Sequence, residues 1–171
     1  IFHGGSSDLT MAFDPSTPGK FVIIHMDYLI SYRHSAIVGT VSGTSISFGT
    51  SVQCGSDNIY GVSIAFDPNT AGKFLVSYRS SVGKVIIGTV SGTSVSFGTE
   101  YVFDTSAVSD TNIAFDPNAV DKFIIVFEDG NKGKARVGTI SGTSISYGTL
   151  VEFNSSDCKA ISLAVDSNNL G

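Results

Sequence analysis

The chain lacks tryptophan altogether and has only four prolines, two cysteines and few charges. Charged residues make up 15% of its 171 positions, against roughly 25% in ordinary soluble domains. Fifteen acidic residues outnumber ten basic ones, for a net charge of −5 and a pI near 4.9. That balance excludes a nucleic-acid partner, which needs a basic stripe. Two cysteines, Cys54 and Cys158, do not make a disulfide framework. No apolar run approaches the ~18 residues of a membrane helix, so membrane insertion is not expected. The first residues, Ile1-Phe2-His3-Gly4-Gly5, have neither the basic region nor the apolar core of a signal peptide. They also lack an initiator Met, so Ile1 is read as lying downstream of the start of translation. A 3.6-residue apolar period is missing too, and with it any case for helices. What is present is 42% apolar residues, 19 glycines and forty serines and threonines. Mean hydropathy is +0.23. The composition is that of a closely packed, turn-rich β protein. Its length suits one buried domain and is short for two.

The chain is one unit repeated. Ala-Phe-Asp-Pro begins at Ala12, Ala65 and Ala114, and a degenerate Ala-Val-Asp-Ser at Ala164, at intervals of 53, 49 and 50 residues. Gly-Thr-Val-Ser-Gly-Thr-Ser-Ile-Ser-Phe-Gly-Thr occupies residues 39–50 and returns almost verbatim at 88–99 and 138–149. Two independent anchors share one period. Ile1, Cys54, Phe103 and Phe153 hold the same phase. Residues 1–53, 54–102 and 103–152 are therefore three repeats, and 153–171 a partial fourth. The first repeat carries extra length around residues 27–35, which reads as a longer loop. Three units do not close a ring, so the chain reads as part of a longer chain or of a structure that several chains complete.

The second unit spells out four short strands. Val62-Ser-Ile-Ala-Phe66 alternates and ends on the turn Asp67-Pro68-Asn69. Gly72 is placed to supply a positive φ before Lys73-Phe-Leu-Val-Ser-Tyr78. Residues 84–90 form the third strand, Ser91-Gly92 a two-residue turn, and residues 93–97 the fourth strand. Gly98 marks a bulge or a close backbone approach. Residues 104–109 read as a mobile link to the next unit. The expected fold is all-β: repeated four-stranded antiparallel meanders resembling propeller blades, forming an incomplete ring or a segment of a longer array. Another stacked four-stranded repeat is the alternative.

Ile-Ala-Phe-Asp-Pro-Asn followed by Gly-Lys-Phe and an apolar strand resembles blades of propeller families. With Gly-Thr-Val-Ser-Gly-Thr-Ser-Ile-Ser-Phe-Gly-Thr added, the unit looks like repeats of uncharacterised surface or fibre proteins of aquatic microbes and their viruses. The resemblance covers the whole chain and brings no active residues with it. The sialidase-type Asp-box, Ser-x-Asp-x-Gly-x-x-Trp, is not matched: Gly72 follows Asp67 by five residues and there is no Trp.

Catalytic and metal motifs do not emerge, and neither catalytic nor cofactor or metal residues are assigned. Ser81-Val-Gly-Lys84 fits Ser-x-x-Lys by chance in a hairpin loop, and His3, His25 and His34 share no phase. The loop at Asp129-Gly-Asn-Lys-Gly133 is only faintly calcium-like. The recurring Asp14, Asp67, Asp116 and Asp166 read as turn-closing acceptors in preference to a cation-binding ring. Tyr28, Tyr32, Arg33, Tyr60 and Arg79 lie near variable loops and are candidates for contact with a glycan or a partner. Cys54 stands where other copies have larger apolar groups, and both thiols are expected to be free, with Cys158 pairing between chains as the alternative. Asn154-Ser155-Ser156 is a sequon, which also arises by chance. The leading expectation is a non-enzymatic structural segment of an extracellular or virion fibre, filament or surface protein. Its partners would be itself or further repeats of its own chain, with surface glycans as candidate ligands. The alternatives are a carbohydrate-binding, lectin-like propeller using residues 28–33 and 57–60, and a glycan hydrolase with its site outside this segment.

Overall fold

A computed structural model describes residues 9–27, 33–56, 58–159 and 161–165. All regular elements among them are β-strands. Blade 1 is the meander β1 (Thr10–Phe13), β2 (Lys20–Asp27), β3 (Arg33–Ser42) and β4 (Ser45–Phe48), with β5 (Val52–Gln53) continuing the fourth strand against β3. Blade 2 is β6 (Tyr60–Phe66), β7 (Lys73–Arg79), β8 (Gly83–Ser91) and β9 (Ser94–Asp104). Blade 3 is β10 (Val108–Phe115), β11 (Lys122–Asp129), β12 (Lys132–Ser141) and β13 (Ser144–Tyr147), with β14 (Val151–Asn154) returning to β12. All ladders are antiparallel, as the meander reading requires. The extra length of the first repeat falls between β2 and β3, at residues 28–32, outside the described residues.

Register explains why the repeated strings are what they are. Phe66, Phe74, Gly88 and Phe97 are successive Cα partners across all four strands of blade 2. Phe13, Phe21, Gly39 and Phe48 form the same row in blade 1, and Phe115, Phe123, Gly138 and Tyr147 in blade 3. The second-strand ring lies over the glycine. A Cβ on Gly88 would stand 2.1 Å from Phe74 Cζ, and the other two copies match. The flanking rings meet Phe74 at centroid distances of 5.2 and 5.9 Å, the range of favourable aromatic pairs. The glycine thus makes room for a ring that joins three strands.

The hairpin turn sits one residue later than expected. Ser91 pairs with Ser94, and the turn residues are Gly92 and Thr93. Gly92 has φ +63°, and Gly43 and Gly142 repeat it at +59° and +62°. A glycine at the first central position is the type II′ pattern, whose twist suits a hairpin. Gly98 is a bulge: the ladder slips between Ile86 and Gly88, and β9 then runs on to Asp104. Residues 104–109 are a short, tied turn and not a mobile link. Asp104 Oδ1 accepts the Ser106 N–H at 2.7 Å, and buried Val108 already begins β10.

The blades pack in sequence, with β1 beside β6 and β6 beside β10. One apolar cluster fills the space between blades 1 and 2: Val22, Ile24, Ala36 and Val38 meet Ile64, Phe66, Phe74 and Val76. A second lies between blades 2 and 3: Leu75, Val85 and Phe103 meet Ile113, Phe115, Phe123 and Ile125. Blade 2 is thus buried on both faces. The three sheets do not close into a barrel.

Candidate interaction surfaces

Two regions gather polar chemistry. The first lies where β5, β7 and β9 end. Tyr60 and Arg79 are Cα partners across β6 and β7, and the Arg79 guanidinium sits 5.0 Å from the Tyr60 ring centroid. Arg33 opens β3 and donates from Nη1 to the Ser56 carbonyl at 3.0 Å. Tyr28 and Tyr32 lie outside the described residues. Of the five candidates the structure therefore joins two, and ties a third, Arg33, to the loop at Ser56.

Glu100 organises this end, and it was not among the candidates. Its carboxylate accepts the Ser56 N–H at 2.7 Å and pairs with Lys84 Nζ at 2.8 Å. Burial pushes the Glu100 carboxyl up, but hydrogen bonds from Lys84, Ser56 and Tyr78 outweigh that and hold it at about 2. Beside it runs an open cleft of about 470 Å³ lined by Gln53, Ser56, Phe97 and Thr99. The available signal was a departure from the repeat, since Glu100 stands at the phase of Ser51 and Leu150. Cys54, nearby, is fully buried, and its thiol is pushed up to about 12 by burial and by the charge of Glu100. Both cysteines are free thiols and both are buried. Asn154 ends β14 rather than lying in a loop, and its Oδ1 accepts the Ser156 N–H at 3.1 Å.

The second region is the Asp-Pro turn. Oδ1 of Asp14, Asp67 and Asp116 accepts the N–H two residues on, at 2.9, 2.8 and 2.9 Å. These are Asx turns. Among the described residues no three His, Cys, Asp or Glu side chains gather as metal ligands would. At the first junction the other carboxylate oxygen and the lysine six residues on reach blade 2. Asp14 Oδ2 accepts the Gly72 N–H of blade 2 at 3.1 Å, and Lys20 Nζ donates to the Gly92 carbonyl at 2.6 Å. At the next junction Lys73 bridges Asp67 at 2.8 Å and Asp121 of blade 3 at 2.7 Å. Burial lowers the Lys73 ammonium, but its two carboxylate partners more than offset this and raise it. Asp121 occupies the phase of Gly72 with φ +61°, a conformation Asp tolerates better than most residues. Asp14 and Asp67 are buried by the following blade, whereas Asp116 and Lys122 are exposed.

The outer faces of the stack are apolar. Blade 1 exposes Leu9, Met11, Phe13, Ile46 and Phe48. Blade 3 exposes Val120, Val137, Val151 and Phe153. No family model matches the chain, and no curated protein matches it.

Proposed function

We propose that the chain is a non-enzymatic structural repeat segment of an extracellular or virion fibre, filament or surface protein. One observation carries this reading: the recurring residues go into packing one blade and joining it to the next. Ala-Phe-Asp-Pro supplies a ring of the aromatic row and the carboxylate of the inter-blade latch. Lys-Phe supplies the latch cation and the ring that lies over glycine. Gly-Thr-Val-Ser-Gly supplies that glycine and the II′ turn. A lectin or an enzyme would instead repeat, or concentrate, groups around a cleft. Its partners on this reading are further units of the same kind. Electron microscopy of the native material tests it: a periodic or multi-chain assembly built of ~50-residue blades is expected, and dispersed monomers alone would sink it.

A second reading, carbohydrate binding, is favoured by the Tyr60–Arg79 pair and by a cleft lined with Gln53, Ser56, Thr99 and Glu100. Aromatic and polar groups held on a rigid sheet are what a sugar needs. A glycan array tests it. Signal that disappears in Tyr60→Ala is expected, and background-level binding rejects it.

A further inference from the structure

We propose that the cleft between blades 1 and 2 is a binding site for an incoming arginine side chain. The precedent lies at the junction between blades 2 and 3. There Arg136 of β12 reaches back toward blade 2. Its Nε donates to the Gly148 carbonyl at 2.8 Å and its Nη1 to the Phe103 carbonyl at 2.6 Å. The guanidinium carbon lies 5.4 Å from the Tyr147 ring centroid. Two carbonyls, one from each blade, and an aromatic face thus hold the group. These are contacts that a flat, weakly hydrated cation makes well.

The first junction has the same frame. Phe97 pairs with Gly88 as Tyr147 pairs with Gly138. Phe97 meets Phe74 as Tyr147 meets Phe123, both close to edge-on. Gly98 and Cys54 stand at the phases of Gly148 and Phe103, the two residues whose carbonyls Arg136 takes. At the phase of Arg136 itself stands Ile86, which is buried and too short to reach either carbonyl. Over it opens the cleft of about 470 Å³, lined by Phe97 and Gly98 from blade 2 and by Gln53 and Gly55, on either side of Cys54, from blade 1. Ile86 and Phe97 offer apolar surface to a methylene stem, and the carbonyls offer acceptors to its head. A second departure works in the same direction. Glu100 replaces Leu150 at this place, so the first junction lacks the internal cation of the second and carries a carboxylate besides. Two cations already stand at this end, Lys84 on Glu100 and Arg33 on the Ser56 carbonyl. The site therefore selects by acceptor geometry and ring face and not by net charge. Both junctions lie inside the stack, so the comparison does not depend on what adjoins its outer faces.

The test uses the 171-residue chain, N-acetyl-arginine amide as the probe, and amide NMR shifts as the readout. Saturable shifts are expected at Gly98, Thr99 and Glu100. N-acetyl-lysine amide is expected to bind at least ~10-fold more weakly, because an ammonium is a point charge without the planar fork. Methylguanidinium, which lacks the stem, is expected to bind more weakly too. Ile86→Arg places an arginine at the phase of Arg136 and is expected to abolish binding. Arg136→Ile is the reverse exchange and gives a reading even where Ile86→Arg does not fold: a second site is expected, with new shifts at Gly148 and Thr149. A parent chain with no saturable shift at the limit of probe solubility overturns the proposal. So do a lysine probe bound as tightly as the arginine one, a folded Ile86→Arg chain that still binds, and a folded Arg136→Ile chain that gains no shifts at Gly148. Methylguanidinium bound as tightly as the arginine probe overturns the assignment to a side chain.

Discussion

Replacing Gly88 with alanine places one methyl group under a fully buried ring, Phe74. The new Cβ would lie 2.1 Å from Phe74 Cζ and 2.3 Å from Cε2. An ordinary carbon contact is about 3.5 Å, so the ring must retreat by roughly 1.4 Å. It has nowhere to go: Phe74 is fully buried, with Phe66 and Phe97 on either side and blade 1 above. Overpacking of a rigid core costs about 1–3 kcal/mol, and expelling the ring altogether about 3–5 kcal/mol. The expected loss is therefore about 3 kcal/mol, which lowers the melting temperature by roughly 6–12 °C for a chain of this size. Gly92→Ala is the control. Nothing lies within 4 Å of its would-be Cβ, and only its φ of +63° is strained, so about 1 kcal/mol is expected. Thermal melts and urea midpoints measure both. A double-mutant cycle with Phe74→Leu completes the test, because the smaller side chain should return part of the Gly88→Ala loss. If Gly88→Ala melts within 2 °C of the parent, or no more steeply than Gly92→Ala, the glycine is not there for the ring and the account of the repeat fails.

Cys54 and His34 should be coupled. Cys54→Phe is expected to cost about 2 kcal/mol by overpacking, and His34→Gly in the same chain to recover much of it; urea midpoints read both. The Cys54 thiol, held at about 12 by burial and Glu100, should resist a thiol reagent at pH 8 until the protein unfolds, and rapid labelling of the native chain there would contradict its burial. The Glu100 carboxyl falls from 4.5 to about 2 on folding, so its contribution is present above pH 4.5 and is lost as pH drops toward 2. Partial solvent access reduces the ~3 kcal/mol implied by that shift to about 1–2 kcal/mol, and Glu100→Gln should flatten the acid limb of the stability–pH curve by that amount. Asp67→Ala leaves Lys73 one carboxylate and a buried void, and should cost about 2–3 kcal/mol in urea unfolding, against a few tenths of a kcal/mol for a surface change.

The period, the four-strand meander and the Asp-Pro turns are legible in the amino-acid string, because each is written in local chemistry; at Gly98 the string leaves a bulge and a close backbone approach open, and the ladder slip selects the bulge. The hairpin turn was misplaced by one residue, since Ser91-Gly92 and Gly92-Thr93 are both polar and small. Only the ladder pairing Ser91 with Ser94 separates them. That same slip hid the aromatic row. Gly88 and Phe74 are fourteen residues apart, and nothing local says that one ring covers the other until the register is fixed. The candidate site was legible in part. Tyr60 and Arg79 look unrelated along the chain and become neighbours once β6 and β7 pair. Glu100 and the forward-reaching lysines depend on contacts between blades, which a single unit does not display.

Departures from the repeat carry the remaining information. At the phase of Gly83 and Gly133 stands His34, and at the phase of Phe103 and Phe153 stands Cys54, which follows the last strand of blade 1. In blade 2 the Phe103 ring lies over Gly83, with 2.5 Å to its would-be Cβ. In blade 1 the bulk has crossed to the neighbouring strand: His34 and Cys54 are both fully buried, and Cys54 N–H donates to the His34 carbonyl. One substitution alone would leave a void or a clash, and the pair leaves neither. Asp121 in place of Gly19 and Gly72 is a similar exchange. The second junction gains a carboxylate for Lys73, whereas the first uses a glycine N–H for Asp14. Each departure is thus matched by a partner on the next strand or the next blade. A chain free to vary at an idle surface would not show that matching. Both exchanges lie where one blade meets the next, which supports the structural reading proposed above.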